Sequence, residues 1–90
     1  MKVISFDGTI VNLDKYEKVE AKQALGMLGQ LIELQKYVVV AIVTKPGLLG
    51  SSAEKAVLGV YNTENRAEEV KNMLVKAWCS NNETFSMPIN

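Results

Sequence analysis

Residues 58–78 read LGVYNTENRAEEVKNMLVKAW and decide the fold, because a short strand leads directly into one amphipathic helix. Asn62 or Thr63 can cap this helix with a side-chain oxygen. Asn62 is the expected cap, and Glu64 then lies at the positive end of the helix dipole. The apolar residues of the helix recur every three or four positions in one stripe: Ala67, Val70, Met73, Leu74, Ala77 and Trp78. The stripe has to be buried against a second layer, and a sheet is the expected partner.

Length and composition predict a single folded domain, residues 1–90, in a reducing compartment. Hydrophobic residues make up 48% of the chain, which is typical of a folded protein. Ten basic and ten acidic residues cancel, so electrostatics give no reason to expect a nucleic acid or an anionic membrane as partner. Cys79 is the single cysteine and cannot form an internal disulfide. No apolar run resembles a signal peptide or a membrane span, so we expect a cytoplasmic protein.

The first strands are predicted as a hairpin. Residues 2–6 and 9–13 are the two strands, and Asp7-Gly8 is the turn, because Gly supplies the positive φ that a tight turn requires. Residues 37–44, YVVVAIVT, form a strand that is apolar on both faces and therefore buried on both.

The second half of the chain is predicted as a loop, a strand, the helix and a short extended end. Residues 45–54 contain Pro46-Gly47 and read as a loop of about ten residues. The strand through residues 57–61 should pair antiparallel with 37–44. After the helix, residues 84–87 are short and extended, and Pro88 limits them to an edge strand or a tail.

Residues 16–34 allow two interpretations. A helical spacing is shared by Ala21, Ala24, Leu25, Leu28, Leu31 and Ile32. Gly26 and Gly29 oppose a helix, since each costs about 1 kcal/mol relative to Ala. The alternative is a strand over 17–24, a turn at 26–29 and a further strand over 30–34. On either alternative the predicted fold class is α+β: a small antiparallel sheet of about four to five strands, packed by a C-terminal amphipathic helix over about residues 63–79.

The side chains present argue against catalysis. The chain has no His, which removes most general-base, triad and zinc arrangements. Glu64, Glu68 and Glu69 share the helix with Lys71 and Lys76, and i,i+3 and i,i+4 ion pairs on a solvated face explain them. We therefore expect no enzyme activity, no metal and no cofactor.

Two regions carry candidate ligand- or partner-binding residues. The loop KPGLLGSS lacks the Gly-Lys-Ser/Thr sequence of a phosphate-binding Walker loop. Its candidates are two leucines for a partner and three polar residues for a ligand: Leu48, Leu49, Lys45, Ser51 and Ser52. Arg66, the only arginine, falls in the first turn of the helix, where backbone N–H groups favour an anion. Tyr61 and Asn62 precede it and complete the candidate set.

Three stretches resemble a group of short proteins from Firmicutes and their phages and prophages. They are residues 3–8 (VISFDG), 58–67 (LGVYNTENRA) and 85–88 (FSMP), which match in order across both ends of the chain. Proteins of this group often carry Glu where Asn65 stands, which would complete a capping box. The resemblance implies a compact sheet-plus-helix fold, a phage or prophage origin and no catalytic residue.

Two functions are predicted. The first is a non-catalytic interaction protein that forms a homo-oligomer, a dimer or larger, and acts in a phage anti-defence role by occluding a host protein. The alternative is sequestration of a small anionic signal of the cyclic nucleotide or cyclic ADP-ribose type at a subunit interface, as anti-Thoeris proteins do. Neither nucleic acid nor membrane is an expected partner, because the lysines are scattered and each is balanced by an acid.

Overall fold

The computed structural model describes residues 1–24, 36–47 and 50–89, which form six strands, one α-helix and one short 3₁₀ helix. The elements follow in chain order as β1 (Lys2–Ile4), β2 (Ile10–Asn12), the 3₁₀ helix (Leu13–Lys15), β3 (Lys18–Gln23), β4 (Tyr37–Gly47), β5 (Gly50–Tyr61), α1 (Glu64–Cys79) and β6 (Thr84–Ser86). The α+β class and the C-terminal helix are as the sequence predicts. The prediction of one sheet with four to five strands is wrong, because the described strands form two three-stranded sheets.

The first sheet joins the two ends of the chain in the order β2-β1-β6. β1 and β2 are antiparallel, whereas β1 and β6 are parallel, with Val3 opposite both Val11 and Phe85. The predicted Asp7-Gly8 turn is confirmed, and Gly8 has a φ of +86°. Asp7 holds the turn because its carboxylate accepts hydrogen bonds from the Ser5 hydroxyl at 2.5 Å and from the Thr9 N–H at 3.0 Å.

The second sheet is antiparallel throughout, in the order β3-β4-β5. The predicted loop over residues 45–54 is wrong, because β4 continues to Gly47 and β5 begins at Gly50. β3 begins at Lys18, opposite Ile42, so residues 43–47 and 50–54 extend beyond it as a two-stranded ladder, which we call the arm. Beyond Ile42 none of the described strands pairs with the outer edge of β4, and proline is tolerated at such an edge because its missing N–H removes no ladder hydrogen bond.

The strand alternative is correct for the part of residues 16–34 that the structure describes. β3 covers Lys18–Gln23, and Ala24 follows it with its N–H donated to the Lys36 carbonyl at 2.9 Å. For residues 25–34 the two alternatives are a turn at 26–29 followed by a strand over 30–34, or a helix through both ranges. These residues lie outside the described part of the chain.

Helix α1 begins one residue later than predicted. Its N-cap is Thr63, whose side chain accepts a hydrogen bond from the Arg66 N–H at 3.1 Å, so Asn62 as the N-cap is wrong. The physical reason is that the preceding strand extends to Tyr61, and Asn62 then accepts a hydrogen bond from the Lys36 ammonium instead.

The apolar stripe of α1 packs on the β3-β4-β5 sheet, which confirms the predicted layering. The buried helix residues are Ala67, Val70, Leu74 and Ala77, while Trp78 is half-buried. Met73 was expected in the stripe but is 43% exposed, because it lies beyond the contact with the sheet. Full burial of Leu74 contributes roughly 1.5–3 kcal/mol.

A β-bulge in β5 connects the two sheets. Val39 lies opposite Gly59 and Val40 opposite Val57, so Leu58 is the extra residue between them. Leu58 is fully buried, and its carbonyl accepts a hydrogen bond from the Phe6 N–H at 2.8 Å. The bulge therefore anchors the β1-β2 turn to β5.

Candidate functional site

The described candidate residues separate into two groups at opposite ends of β5. Tyr61 ends the strand, and Asn62 and Arg66 follow at the start of α1. Lys45 and Ser52 lie opposite each other in the arm. At about 3.3 Å per residue, the strand from Ser52 to Tyr61 spans roughly 30 Å. A single chain therefore does not bring the two groups into one pocket.

Tyr61 is a core residue whose hydroxyl is used within the chain. The residue is 1% exposed, and its hydroxyl donates a hydrogen bond to the Pro88 carbonyl at 2.9 Å. Its ring lies across Gly59, since a Cβ added to this glycine would come within 2.6 Å of the tyrosine oxygen. Burial raises the pKa of the phenol, and the positive charge of Arg66 opposes the rise. Tyr61 is therefore a neutral donor that fixes the C-terminal segment.

Arg66 and Asn62 each have a partner in the chain. The Arg66 guanidinium forms an ion pair with Glu69, one turn further along α1, and its second nitrogen is 3.4 Å from the Ile89 carbonyl. Asn62 accepts from the Lys36 ammonium. An anion at the start of α1 would have to compete with Glu69 for the guanidinium.

The arm presents exposed polar side chains. Lys45 forms an ion pair with Glu54 across the two strands, and this hydrogen bond raises the pKa of the lysine. Ser52 is exposed beside it. The remaining predicted contacts, Leu48, Leu49 and the Ser51 side chain, lie outside the described residues.

A group of charged residues that was not predicted from the sequence lies on the β3-β4-β5 face opposite α1. Lys18, Glu20 and Lys22 alternate along β3 and lie opposite Ile42, Val40 and Val38 of β4. These β4 residues belong to the apolar cluster on the face that α1 does not cover. Lys55 of β5 also lies opposite Ile42, and so its side chain projects from the same face.

Lysine side chains converge on Glu20. The ammonium groups of Lys18 and Lys22 are 3.0 and 3.9 Å from its carboxylate. The hydrogen bond from Lys18 is the main cause that lowers the pKa of Glu20, and Lys22 and Lys55 add to it. We call Lys18, Lys22, Lys55 and Glu20 the lysine cluster. The prediction that every lysine is balanced by an acid is wrong here, because Lys18 and Lys22 pair with the same carboxylate and Lys55 lies on the same face. The signal in the sequence was the alternation Lys-x-Glu-x-Lys, which places all three residues on one face of a strand.

A second group of residues for which the sequence predicted no binding role is apolar and exposed. Ile4 of β1 and Ile10 of β2 are directly opposite each other on the outer face of the first sheet and are 40% and 66% exposed. Phe6, in the following turn, is 51% exposed. We call Ile4, Phe6 and Ile10 the apolar face. Phe6 also lines a groove of about 390 Å³ together with Met87, Pro88 and Ile89.

Residues 1–24, 36–47 and 50–89 contain neither a candidate metal site nor a candidate membrane-spanning helix. Within these ranges, no group of three or more His, Cys, Asp or Glu side chains is placed to hold a metal ion. Within the same described ranges, no helix has the length and apolar character required to span a membrane.

No protein-family model, curated protein or solved structure matches the chain. The resemblance to short phage and prophage proteins therefore stays a prediction from the three sequence stretches.

Proposed function

We propose that this chain is a non-catalytic interaction protein that forms a homo-oligomer through the apolar face. The observation that carries this proposal is the exposure of the cross-strand pair Ile4 and Ile10 on one side of the first sheet, with Phe6 exposed in the adjoining turn. Exposed apolar groups of this kind mark surfaces that contact another protein. Following the resemblance to phage proteins, we propose that the oligomer acts in anti-defence by occluding a host protein.

Self-association is favoured by the geometry and charge of this face. Ile4 and Ile10 form a cross-strand pair, so a two-fold axis near them would place each pair against its copy. The chain has no net charge, so no overall electrostatic repulsion opposes contact between two copies. Covering one such side chain contributes on the order of 1–2 kcal/mol.

The arm is a candidate surface for the host protein. Along its β4 edge, the Thr44 N–H already donates to the Glu17 carboxylate at 3.2 Å, and Pro46 has no N–H to offer. This edge is therefore poorly suited to add a strand from another chain. The arm would contact a partner through its side chains, with Leu48 and Leu49 as the proposed apolar contacts.

The test is the substitution Ile10→Lys, measured by sedimentation velocity. Ile10 is highly exposed, so the fold should tolerate lysine, while a charge at the contact should weaken self-association roughly tenfold or more. Met73→Lys is the matched control, because it changes an exposed apolar residue on α1 instead. Equal oligomer sizes for Ile10→Lys, Met73→Lys and the unchanged chain would overturn the proposed contact; circular dichroism checks that each variant is folded.

A second candidate function is sequestration of a small anionic signal at a subunit interface. It is favoured by the separation of the two candidate groups, since Lys45 and Ser52 can meet Tyr61, Asn62 or Arg66 only if they come from different copies. Such a pocket would take a cyclic nucleotide or a cyclic ADP-ribose type of ligand, with Arg66 and Lys45 as its cations.

Native mass spectrometry after incubation with cell extract tests this second candidate. The expected result is a nucleotide-like mass on the oligomer that is lost in Arg66→Gln and in Ile10→Lys, because one removes a ligand contact and the other separates the copies. An oligomer that repeatedly carries no such mass would count against sequestration and leave the first function in place.

A further inference from the structure

The lysine cluster has a shortage of negative charge. Lys18 and Lys22 flank Glu20 on β3, and Lys55 projects from the same face of β5, where its charge acts on the Glu20 carboxylate. Among the described residues, the three lysines of this cluster are therefore accompanied by one carboxylate, and two positive charges are left over. The side chains remain accessible, since those of Lys18, Glu20 and Lys22 are 60%, 41% and 31% exposed.

We propose that the lysine cluster binds the phosphate group of a small, soluble phosphate monoester. A monoester carries a charge of about −1.5 to −2 at neutral pH, which matches the two uncompensated positive charges. Its three terminal oxygens accept hydrogen bonds, and each lysine ammonium offers up to three donors. The lysines come from two strands that flank β4, so the sheet itself sets their spacing.

The neighbouring charges of Lys22 and Lys55 indicate where the anion would lie. Lys55 projects from the same face of the sheet, and its positive charge acts on the Lys22 ammonium. Partial burial, followed by this neighbouring charge, lowers the pKa of Lys22. An anion between the two groups would replace their repulsion with two attractive contacts, and it would bring the Lys22 pKa back toward its usual value.

Glu20 has an opposing role in this site. Its carboxylate holds Lys18 and Lys22 in position, and it also competes with an incoming anion for the same ammonium groups. The site uses no residue of the apolar face and none of the candidates near Tyr61. The inference therefore stands or fails separately from both proposed functions.

The experiment is an NMR titration with AMP, a phosphate monoester, with adenosine as the control that lacks the phosphate. Lys22→Gln should weaken AMP binding roughly tenfold, since it removes a charged hydrogen-bond donor. Lys22→Arg keeps the charge and should retain most of the affinity. Glu20→Gln should tighten binding several-fold, because it removes the competing carboxylate. Lys76→Gln, on exposed helix surface, is the matched control and should bind like the unchanged chain.

Several results would overturn the proposal. Adenosine and AMP could bind alike, or Lys22→Gln and Lys76→Gln could have the same effect, which would place the anion elsewhere. Weaker binding in Glu20→Gln would contradict the assigned competition. Capture by vesicles that contain phosphatidic acid, but not by phosphatidylcholine vesicles, in the absence of any AMP shift, would assign the monoester to a lipid headgroup and exclude the soluble ligand.

Discussion

Tyr61 links three parts of the molecule through one side chain. It ends β5, its ring covers Gly59, and its hydroxyl donates to the Pro88 carbonyl. Gly59 leaves the space that the ring occupies, so a larger residue there would displace the tyrosine. The aromatic ring in turn supplies the packing that a glycine in a strand lacks.

The substitution Tyr61→Phe tests this role. Loss of the hydrogen bond should lower the free energy of unfolding by about 1 kcal/mol, because the Pro88 carbonyl loses its partner. The raised pKa of Tyr61 in the folded state stabilises the protein below pH 10.0, the ordinary value. This contribution is lost as the pH rises from 10.0 through the folded-state pKa, since the unfolded chain ionises first.

Urea denaturation between pH 8 and 11 measures both effects of Tyr61→Phe. The variant should be less stable at pH 8 and should lose less stability toward pH 11 than the unchanged chain. Tyr37→Phe, on the strand position directly opposite, is the matched control. The same alkaline slope in Tyr61→Phe and in the unchanged chain would contradict the account of this tyrosine.

In the candidate sites, a contact could be predicted from sequence where the spacing of two residues along one element brings their side chains together. The i,i+3 spacing of Arg66 and Glu69 predicts their ion pair, although the sequence analysis used Arg66 only as an anion contact. The lysine cluster follows from the strand alternative for Lys18 and Lys22. Lys55 could not be added from sequence, because its approach to Glu20 depends on the register of three strands.

At the scale of elements, helix α1 begins one residue after its predicted start, and a contact with a distant residue explains the difference. The sequence offers two adjacent capping residues, Asn62 and Thr63. The Asn62 side chain instead accepts a hydrogen bond from the ammonium of Lys36, which lies 26 positions earlier in the chain. Thr63 then caps the helix. Local sequence narrows the cap to two residues, and a distant contact decides between them.

Alanine substitutions at the two positions test the cap. Thr63→Ala should lower the free energy of unfolding by about 1 kcal/mol, since an N-cap side chain contributes roughly 0.5–2 kcal/mol. Asn62→Ala should cost less, because the hydrogen bond from the Arg66 N–H to the Thr63 side chain stays in place and the contact with Lys36 is exposed. Chemical denaturation of both variants gives the comparison; a larger loss in Asn62→Ala would restore Asn62 as the cap.

The arm is the element that sequence reasoning described least well. Pro46-Gly47 favours a turn, which is why the sequence predicts a loop over residues 45–54. The structure instead continues the ladder, with Lys45 opposite Ser52 and Pro46 opposite Ser51. Composition identified the residues that tolerate a turn, but the ladder depends on cross-strand pairing that composition does not encode.

Across the whole molecule, local patterns predicted the α+β class, the antiparallel β4-β5 pair and the helix that packs on a sheet. They did not predict a separate β2-β1-β6 sheet, because β6 pairs with β1 from the other end of the chain. The hydrogen bond from Phe6 to the bulged Leu58 then fixes one sheet on the other. This arrangement leaves Ile4 and Ile10 on an outer face, which no local pattern shows to be exposed.

Sedimentation equilibrium of the unchanged chain over a wide concentration range decides whether the apolar face joins copies of the protein. The chain has a mass of 9.9 kDa. We expect the average mass to rise with concentration to twice this value or a higher multiple. A mass that stays at 9.9 kDa at every concentration up to the millimolar range would contradict an oligomer built through this face.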